Sequence, residues 1–261
     1  MMDAEKPRTL TLITGAASGI GKACAKAVLT QDEEVILLDK DNEQLLAFYE
    51  SLTAKQQDKA HLYSVDLNDL TSVSNFCQSI SEKGLTPNNI ISAAGILHLS
   101  PILELSAEQL TDTLNTNFIG TFVLLQHLAK TWVTNHYPGS LVVVGSNAAD
   151  TPRVNMSAYC ASKASLHIAI KCMGLELAQY GIRCNIVSPG STRTSMQEQL
   201  WQNADGEQLT IQGNLEQHKL GIPLGKIAEP DDIVNAVLFL LSEKAGHITM
   251  QDLRVDGGAT L

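Results

Sequence analysis

The chain of 261 residues is 44% hydrophobic and 18% charged, so it can bury a sizeable core and is not an intrinsically disordered protein. Eighteen Lys and Arg against 28 Asp and Glu give a net charge of −10, which argues against a nucleic-acid partner. Length alone leaves open one large α/β domain or two small domains.

The cysteines and the chain start bear on the cellular compartment. The five cysteines are odd in number and have no Cys-x-x-Cys spacing, which predicts reduced thiols and neither disulfides nor a metal site. Asp3 and Glu5 interrupt any cationic leader, and no apolar run approaches the roughly 20 residues of a membrane span. We therefore expect a cytoplasmic protein with no membrane partner.

Short β-branched runs alternate along the chain with segments whose apolar residues recur at helical spacing. This alternation predicts a single-domain, Rossmann-type α/β fold over residues 1–261, a doubly wound parallel sheet with helices on both faces. Residues 194–220, rich in Gln and Asn, follow the sixth strand and are either a lid over a binding cleft or a solvated pair of surface helices. The seven predicted strands are 9–14, 35–39, 61–66, 90–93, 141–145, 183–188 and 252–256.

A glycine-rich turn follows the first predicted strand and opens a helix. Glycines in such a turn let backbone N–H groups approach a pyrophosphate at the helix N-terminus. Asp39 ends the second predicted strand, at the spacing expected of a carboxylate that binds a ribose 2′-hydroxyl. The pairing predicts a dinucleotide site and outweighs the alternative, Asp39 as N-cap of a helix from Asn42. The turn's candidate ligands are Gly15, Ser18, Gly19, Ile20 and Gly21.

The predicted cofactor is NAD. A carboxylate at Asp39 would repel a 2′-phosphate, and no Lys or Arg stands at positions 16–18, although Lys40 argues for NADP. Asp66, which ends the third predicted strand, is placed to accept from an adenine amino group or, alternatively, to close a turn. Further candidates for cofactor binding are Leu67, Ala94 and Gly95.

Three residues predict a catalytic site. Tyr159 and Lys163 lie four residues apart in the predicted helix 157–180, so their side chains share one face. A tyrosine with an ordinary pKa near 10 is a poor base at neutral pH, and we expect the neighbouring ammonium to lower that pKa. Ser146, just beyond the fifth predicted strand, is placed to hold a substrate oxygen during hydride transfer.

With these motifs in order, the sequence resembles the short-chain dehydrogenase/reductase family over about residues 9–258. The resemblance rests on Thr-Gly-x-x-x-Gly-x-Gly, a serine, Tyr-x-x-x-Lys and an Asn-Ala-Ala-Gly motif. That last motif departs from the family here, because it begins with Ser92. One hydroxyl makes fewer hydrogen bonds than an amide, so we expect a weaker brace between the neighbouring strands.

The resemblance implies a role for each matching residue. Tyr159 is the general acid/base, Lys163 its partner and a ribose ligand, and Ser146 orients the substrate. Asn117 matches an asparagine that supports a water leading protons to the lysine. The residues that match a segment gripping the nicotinamide carboxamide are Pro189, Gly190, Thr192 and Thr194.

Less common residues around the predicted helix 157–180 resemble one group of enzymes within the family more closely than the others. This closer resemblance implies a small anionic dihydrodiol as substrate. An anion that enters a protein of charge −10 needs a local cation. Arg153 is the candidate because a guanidinium grips a carboxylate bidentately, whereas the alternative is a surface pair with Asp150. Further candidates around the substrate are Met156, Met196, Gln197 and Trp201, of which Met196 and Trp201 are equally typical of packing residues.

The predicted helices 114–132 and 157–180 carry apolar residues on more than one face, so one face needs a partner. By the resemblance, these helices join a homotetramer, and contact with the enzyme that activates the aryl product is a further expectation. Two alternatives stay open: another enzyme of the family, such as a 3-oxoacyl carrier-protein reductase, and a non-catalytic dinucleotide-binding sensor or scaffold. The apolar residues are Phe118, Phe122, Leu125, Leu128, Leu166, Ile170, Met173 and Leu177.

Overall fold

A computed structural model describes residues 9–201 and 205–260. Seven strands form one sheet: β1 (Leu10–Thr14), β2 (Glu34–Asp39), β3 (Ala60–Ser64), β4 (Asn89–Ser92), β5 (Ser140–Val144), β6 (Arg183–Pro189) and β9 (Asp252–Val255). All pairs are parallel, in the order β3-β2-β1-β4-β5-β6-β9. The short strands β7 (Gly213–Asn214) and β8 (Lys219–Leu220) pair as an antiparallel hairpin. The predicted Rossmann-type sheet is confirmed, with strand ends shifted by at most two residues.

Helices connect the strands. They are α1 (Gly19–Thr30), α2 (Asn42–Glu50), α3 (Ala54–Gln57), α4 (Leu70–Glu82), α5 (Ala107–Leu114), α6 (Thr121–Thr134), α7 (Ser157–Leu177), α8 (Ser195–Glu198), α9 (Gly206–Gln212) and α10 (Pro230–Leu241). A π-helix, Asn115–Gly120, joins α5 to α6. The predicted helix 114–132 therefore begins in a π-helical turn.

The two faces of the sheet bury two separate apolar clusters. In β1, Leu12 packs with residues of α4, α6 and α7, whereas the adjacent Ile13 packs with residues of α1, α2 and α10. Successive side chains of a strand point to opposite faces, so helices on both sides bury both residues. This explains why β2 and β5 have nearly continuous apolar sequences instead of alternating ones.

The position of the site follows from the strand order. The chain builds β1, β2 and β3 toward one edge of the sheet and then returns to place β4 on the other side of β1. Connections leave β1 and β4 in opposite directions at this point, which opens a crevice beyond their carboxyl ends.

The eight apolar residues that were expected to occupy more than one face of these two helices all belong to the core, so none of them forms a separate face for a partner. All eight lie in, or pack against, the cluster beneath α4, α6 and α7. The apolar side chains that α7 leaves in solvent are Ile168 and Leu175, 62% and 69% exposed and two turns apart.

The described residues include neither a membrane-spanning helix nor a cluster of metal ligands. They contain no helix long and apolar enough to cross a membrane. In the same part of the chain, no three His, Cys, Asp or Glu side chains are grouped so that they could hold a metal ion.

Thr14 on the neighbouring strand holds the two residues that follow Ser92, while the weaker brace expected from Ser92 itself stays a prediction. The hydroxyl of Thr14 accepts hydrogen bonds from the backbone N–H groups of Ala93 and Ala94, both at 3.1 Å. At the next position, a Cβ on Gly15 would lie 2.9 Å from the Cα of Ala94. The ends of β1 and β4 are thus held together by hydrogen bonds to the Thr14 hydroxyl and by the close backbone packing that Gly15 allows.

We expect Thr14→Val to destabilise the protein by about 1–3 kcal/mol, because it keeps the shape of the side chain and leaves two N–H groups without their acceptor. Urea unfolding of the purified protein measures this loss. Thr14→Ser, which retains the hydroxyl, is the matched control and should lose clearly less. Equal stability of Thr14→Val and Thr14→Ser would contradict the role of the hydroxyl.

Candidate active site

A cavity of about 670 Å³ opens at the carboxyl ends of the parallel strands. The loops after β1 to β6 and the described part of residues 194–220 form its walls. Two of the predicted site residues, Asn117 and Trp201, lie outside these walls. The others line the cavity: Gly15, Ser18, Gly19, Ile20, Gly21, Asp39, Asp66, Leu67, Ala94, Gly95, Ser146, Arg153, Met156, Tyr159, Lys163, Pro189, Gly190, Thr192, Thr194, Met196 and Gln197.

The glycine turn packs too tightly for side chains. A Cβ on Gly21 would lie 2.1 Å from the carbonyl oxygen of Gly15, and Gly15 itself has a φ of +68°. At the start of α1 the Ser18 side chain makes no capping hydrogen bond, and the first turn holds no acidic residue. The helix N-terminus therefore presents backbone donors and a positive dipole end to the cavity.

Asp39 is fixed at the cavity edge by the backbone. Its carboxylate accepts from the N–H groups of Ala17 and Asp41, each at 3.0 Å. The N-cap of α2 is Asp41, whose side chain accepts from the N–H of Gln44. The alternative, in which Asp39 caps the N-terminus of α2, is therefore wrong, because Asp41 is the N-cap.

Asp66 closes a turn in the cavity wall, and its contact with an adenine amino group stays a prediction. The strand β3 ends at Ser64, so Asp66 stands in the following loop. Its carboxylate accepts from the N–H of Asn68 at 2.9 Å, which closes a turn, and the residue also lines the cavity. The turn fixes the carboxylate beside the predicted adenine end.

Tyr159 and Lys163 are both buried on one face of α7. The Lys163 ammonium donates to the carbonyl of Val144 at 3.0 Å and lies 5.7 Å from the centre of the Tyr159 ring. Burial lowers the pKa of Lys163 to about 8. Burial also raises the pKa of Tyr159, against which a hydrogen bond from Ser146 lowers it. The expected net lowering of the tyrosine pKa is thus not found, because desolvation outweighs the favourable contacts of the phenolate.

A histidine that the sequence reasoning missed lies beneath Ser146. The backbone N–H of Ser146 donates to Nε2 of His167 at 3.3 Å, and Nδ1 of His167 lies 3.1 Å from a carboxylate oxygen of Asp252. The hydroxyl of Ser188 donates to the same carboxylate. This series of hydrogen bonds fixes the backbone at Ser146, two residues beyond the end of β5. The one available signal was spacing, since His167 follows Lys163 by one helical turn.

Asn117 lies outside the cavity wall and hydrogen-bonds the backbone of the loop after β4. Its side-chain oxygen accepts from the N–H of Ile96 at 2.8 Å, and its amide donates to the carbonyl of Ile96 and to the hydroxyl of Ser162. Gly95, between them, is so close that a Cβ there would lie 3.6 Å from Nζ of Lys163. Asn117 therefore joins the loop after β4 to α7, and its part in proton transfer stays a prediction.

The described part of residues 194–220 covers the cavity and is not merely a solvated helix pair. It holds α8, α9 and the β7–β8 hairpin, and side chains from each line the cavity. Arg193, just before it, pairs with Glu207 at 2.7 Å and with Glu229 at 3.0 Å. These ion pairs attach the segment to the start of α10, whereas closure as a lid stays a prediction.

Trp201 requires a correction. It does not reach the cavity, because its backbone and side chain pack against Gly206, where a Cβ would lie 2.5 Å from the Cβ of Trp201. The Arg193 guanidinium lies 5.9 Å from its ring centre. The alternative of a packing residue therefore describes Trp201.

Arg153 stands in the cavity wall, and the alternative pairing with Asp150 is wrong. Asp150 pairs with Arg254 instead, at 2.6 Å. Burial lowers the pKa of Arg153, while Cys160 and Asp256 raise it. Lys219, which the sequence reasoning missed, lines the same cavity.

Known proteins resemble this chain over its whole length. The family model described as enoyl-(acyl carrier protein) reductase matches residues 15–260. The vibriobactin-specific 2,3-dihydro-2,3-dihydroxybenzoate dehydrogenase of Vibrio cholerae is 45% identical, over 100% of this chain and 99% of its own. The 2,3-dihydro-2,3-dihydroxybenzoate dehydrogenase of Bacillus subtilis is 44% identical, over 97% and 96%. The solved structure of 4-hydroxyisoleucine dehydrogenase complexed with NADH has a TM-score of 0.88 at 30% identity, covering 97% of this chain and 99% of that chain.

The lowered pKa of Lys163 predicts a pH-dependent stability. Since the unfolded lysine keeps its proton to its ordinary pKa of 10.5 and the folded one loses it near 8, the unfolded state binds more protons between these values. The free energy of unfolding of the wild type should therefore rise with pH across that window, relative to Lys163→Met, by up to about 3 kcal/mol. Urea unfolding at several pH values measures both proteins. Parallel pH profiles would contradict a buried ammonium at this position.

Proposed function

The chain belongs to the short-chain dehydrogenase/reductase family, and on that basis we propose that it oxidises 2,3-dihydro-2,3-dihydroxybenzoate to 2,3-dihydroxybenzoate with NAD. The observation that carries the proposal is the full-length similarity to two dehydrogenases named for this substrate. One of them is vibriobactin-specific, so the reaction belongs to the biosynthesis of a catecholate siderophore.

The residues of the cavity fit NAD. The space at Gly21, which a side chain would fill, and the uncapped start of α1 suit a pyrophosphate. The fixed carboxylate of Asp39 suits two ribose hydroxyls and repels a 2′-phosphate. At the other end of the cavity, we assign the nicotinamide carboxamide to Pro189, Gly190, Thr192 and Thr194. When bound, NAD supplies the acceptor for a hydride at C4 of the nicotinamide ring.

The chain's own residues move the proton. The hydroxyl of Ser146, which lowers the pKa of Tyr159, is placed to hold one ring hydroxyl of the substrate beside the tyrosine. Tyr159, as phenolate, takes the proton of that hydroxyl while its carbon loses a hydride, which leaves a ketone. The ketone tautomerises to a catechol, and aromatisation favours oxidation over the reverse reaction.

Lys163 supplies the positive charge that the phenolate needs. Its ammonium stands 5.7 Å from the ring centre and is fixed by the Val144 carbonyl, with further N–H groups left for a ribose hydroxyl. Both side chains are buried, and charges interact more strongly where water is excluded. The same burial that raises the pKa of Tyr159 thus strengthens the effect of the neighbouring cation.

The proposed reaction is tested by the absorbance of NADH formed from 2,3-dihydro-2,3-dihydroxybenzoate, compared with a panel of uncharged secondary alcohols. We expect the dihydrodiol to be the preferred substrate. Tyr159→Phe should lower kcat by about a hundredfold to ten-thousandfold, the usual contribution of general acid–base catalysis, and leave NAD binding intact. A wild type that ignores the dihydrodiol, or a Tyr159→Phe variant with full activity, would refute the assignment.

We also propose a homotetramer and a cytoplasmic location. The exposed Ile168, Cys172 and Leu175 share one face of α7, which suits burial against a second copy. All five cysteines are free thiols, which supports a reducing compartment. Contact with the enzyme that activates the aryl product stays an expectation from the resemblance.

Light scattering of the purified protein should give the mass of a tetramer. Leu175→Glu places a charge on the exposed face of α7 and should shift the mass to smaller species. Leu46→Glu, at another exposed leucine on α2, is the control and should leave the mass unchanged. A monomeric wild type at micromolar concentration would refute the tetramer.

A further inference from the structure

Two cations from distant parts of the chain meet in the cavity wall. Arg153 stands in the loop between β5 and α7, and Lys219 is the first residue of β8, in the hairpin within residues 194–220. Burial lowers the pKa of Lys219, and the positive charge of Arg153 lowers it further. The two side chains are therefore close enough to repel each other in a partly desolvated setting.

Within the described part of the chain, neither cation has an ion-pair partner. Other basic residues do: Arg254 holds Asp150, and Lys226 pairs with Asp232. The negative charge that acts on Arg153 from the protein side is Asp256, whose carboxylate is already bound by Asn147, Gly258 and Thr260. Two like charges without a close counterion destabilise this arrangement, and an anion between them would offset the repulsion.

We propose that Arg153 and Lys219 together form a carboxylate-binding subsite, in which the guanidinium and the ammonium bind the substrate carboxylate. The inference rests on the proposed function, because it places that carboxylate in the cavity that Tyr159 also lines. Lys219 is thereby a specificity-determining residue. It selects an anionic ring over a neutral ring of the same shape, and takes no part in proton or hydride transfer.

The test compares two ligands that differ in one group, 2,3-dihydroxybenzoate and catechol, titrated calorimetrically into the NAD-loaded protein. In the wild type, the carboxylate ligand should bind at least about tenfold more tightly than catechol. Lys219→Met, which keeps the apolar stem, should lose about tenfold in affinity for 2,3-dihydroxybenzoate and nothing for catechol. Lys219→Arg should restore most of the loss, and the exposed Lys226→Met is the control that changes neither affinity.

If Lys219→Met lowered the affinity for 2,3-dihydroxybenzoate and for catechol equally, the subsite would be overturned and Lys219 would have only a structural role. Unchanged binding of both ligands would overturn it as well. With the dihydrodiol as substrate, Lys219→Met should raise KM about tenfold at nearly constant kcat, and Arg153→Met should do the same. The proposed function fails separately: a wild type that binds the carboxylate ligand through Lys219 but does not oxidise the dihydrodiol keeps the subsite and loses the reaction.

Discussion

The hydroxyl of Thr14 accepts hydrogen bonds from two backbone N–H groups that follow β4. These bonds connect β1 to β4 at the point where the strand order of the sheet reverses. From that junction the chain continues through Gly95 to Ile96, which Asn117 holds by both its backbone groups. Gly95 in turn passes close to the Lys163 ammonium. The cofactor turn, the loop after β4 and the catalytic helix are therefore positioned by one continuous set of short contacts, and a shift at the junction would move all three.

Charge is distributed unevenly between the surface and the cavity. The protein as a whole has a net charge of −10. The cavity is lined by Asp39, Lys40, Asp41 and Asp66 in the loops after β2 and β3, whereas Arg153, Lys163 and Lys219 line it in elements that follow β5. Arg153, Lys163 and Lys219 are partly or fully buried, and this burial lowers the pKa of each. Such an arrangement sacrifices stability of the free protein, and it concentrates positive potential where an anionic substrate and a phenolate must be held.

The sequence predicted the elements and residues whose signals are local. The seven strands were predicted because apolar runs such as β5 are bounded by turn residues. The shared helix face of Tyr159 and Lys163 was predicted because four residues make about one helical turn. Lys219 escaped notice because a lysine in a polar segment has no local signal, and only the hairpin brings it to Arg153. Asp41 and Asp39 are chemically identical and two residues apart, so only the observed hydrogen bonds assign the helix cap to one and the cavity edge to the other. The π-helix that holds Asn117 likewise has no apolar period to reveal it.

The hairpin that brings Lys219 to the cavity is built separately from the groups that perform the chemistry. Ser146 follows β5, and Tyr159 and Lys163 stand on α7. Within the described residues, β7 and β8 pair with each other and with no strand of the seven-stranded sheet. A substitution in the hairpin leaves the central hydrogen bonds intact, and a substitution on α7 leaves the hairpin intact. With the proposed roles of these residues, reaction and selectivity can change independently, and a few substitutions in the hairpin would change the substrate charge that the cavity accepts.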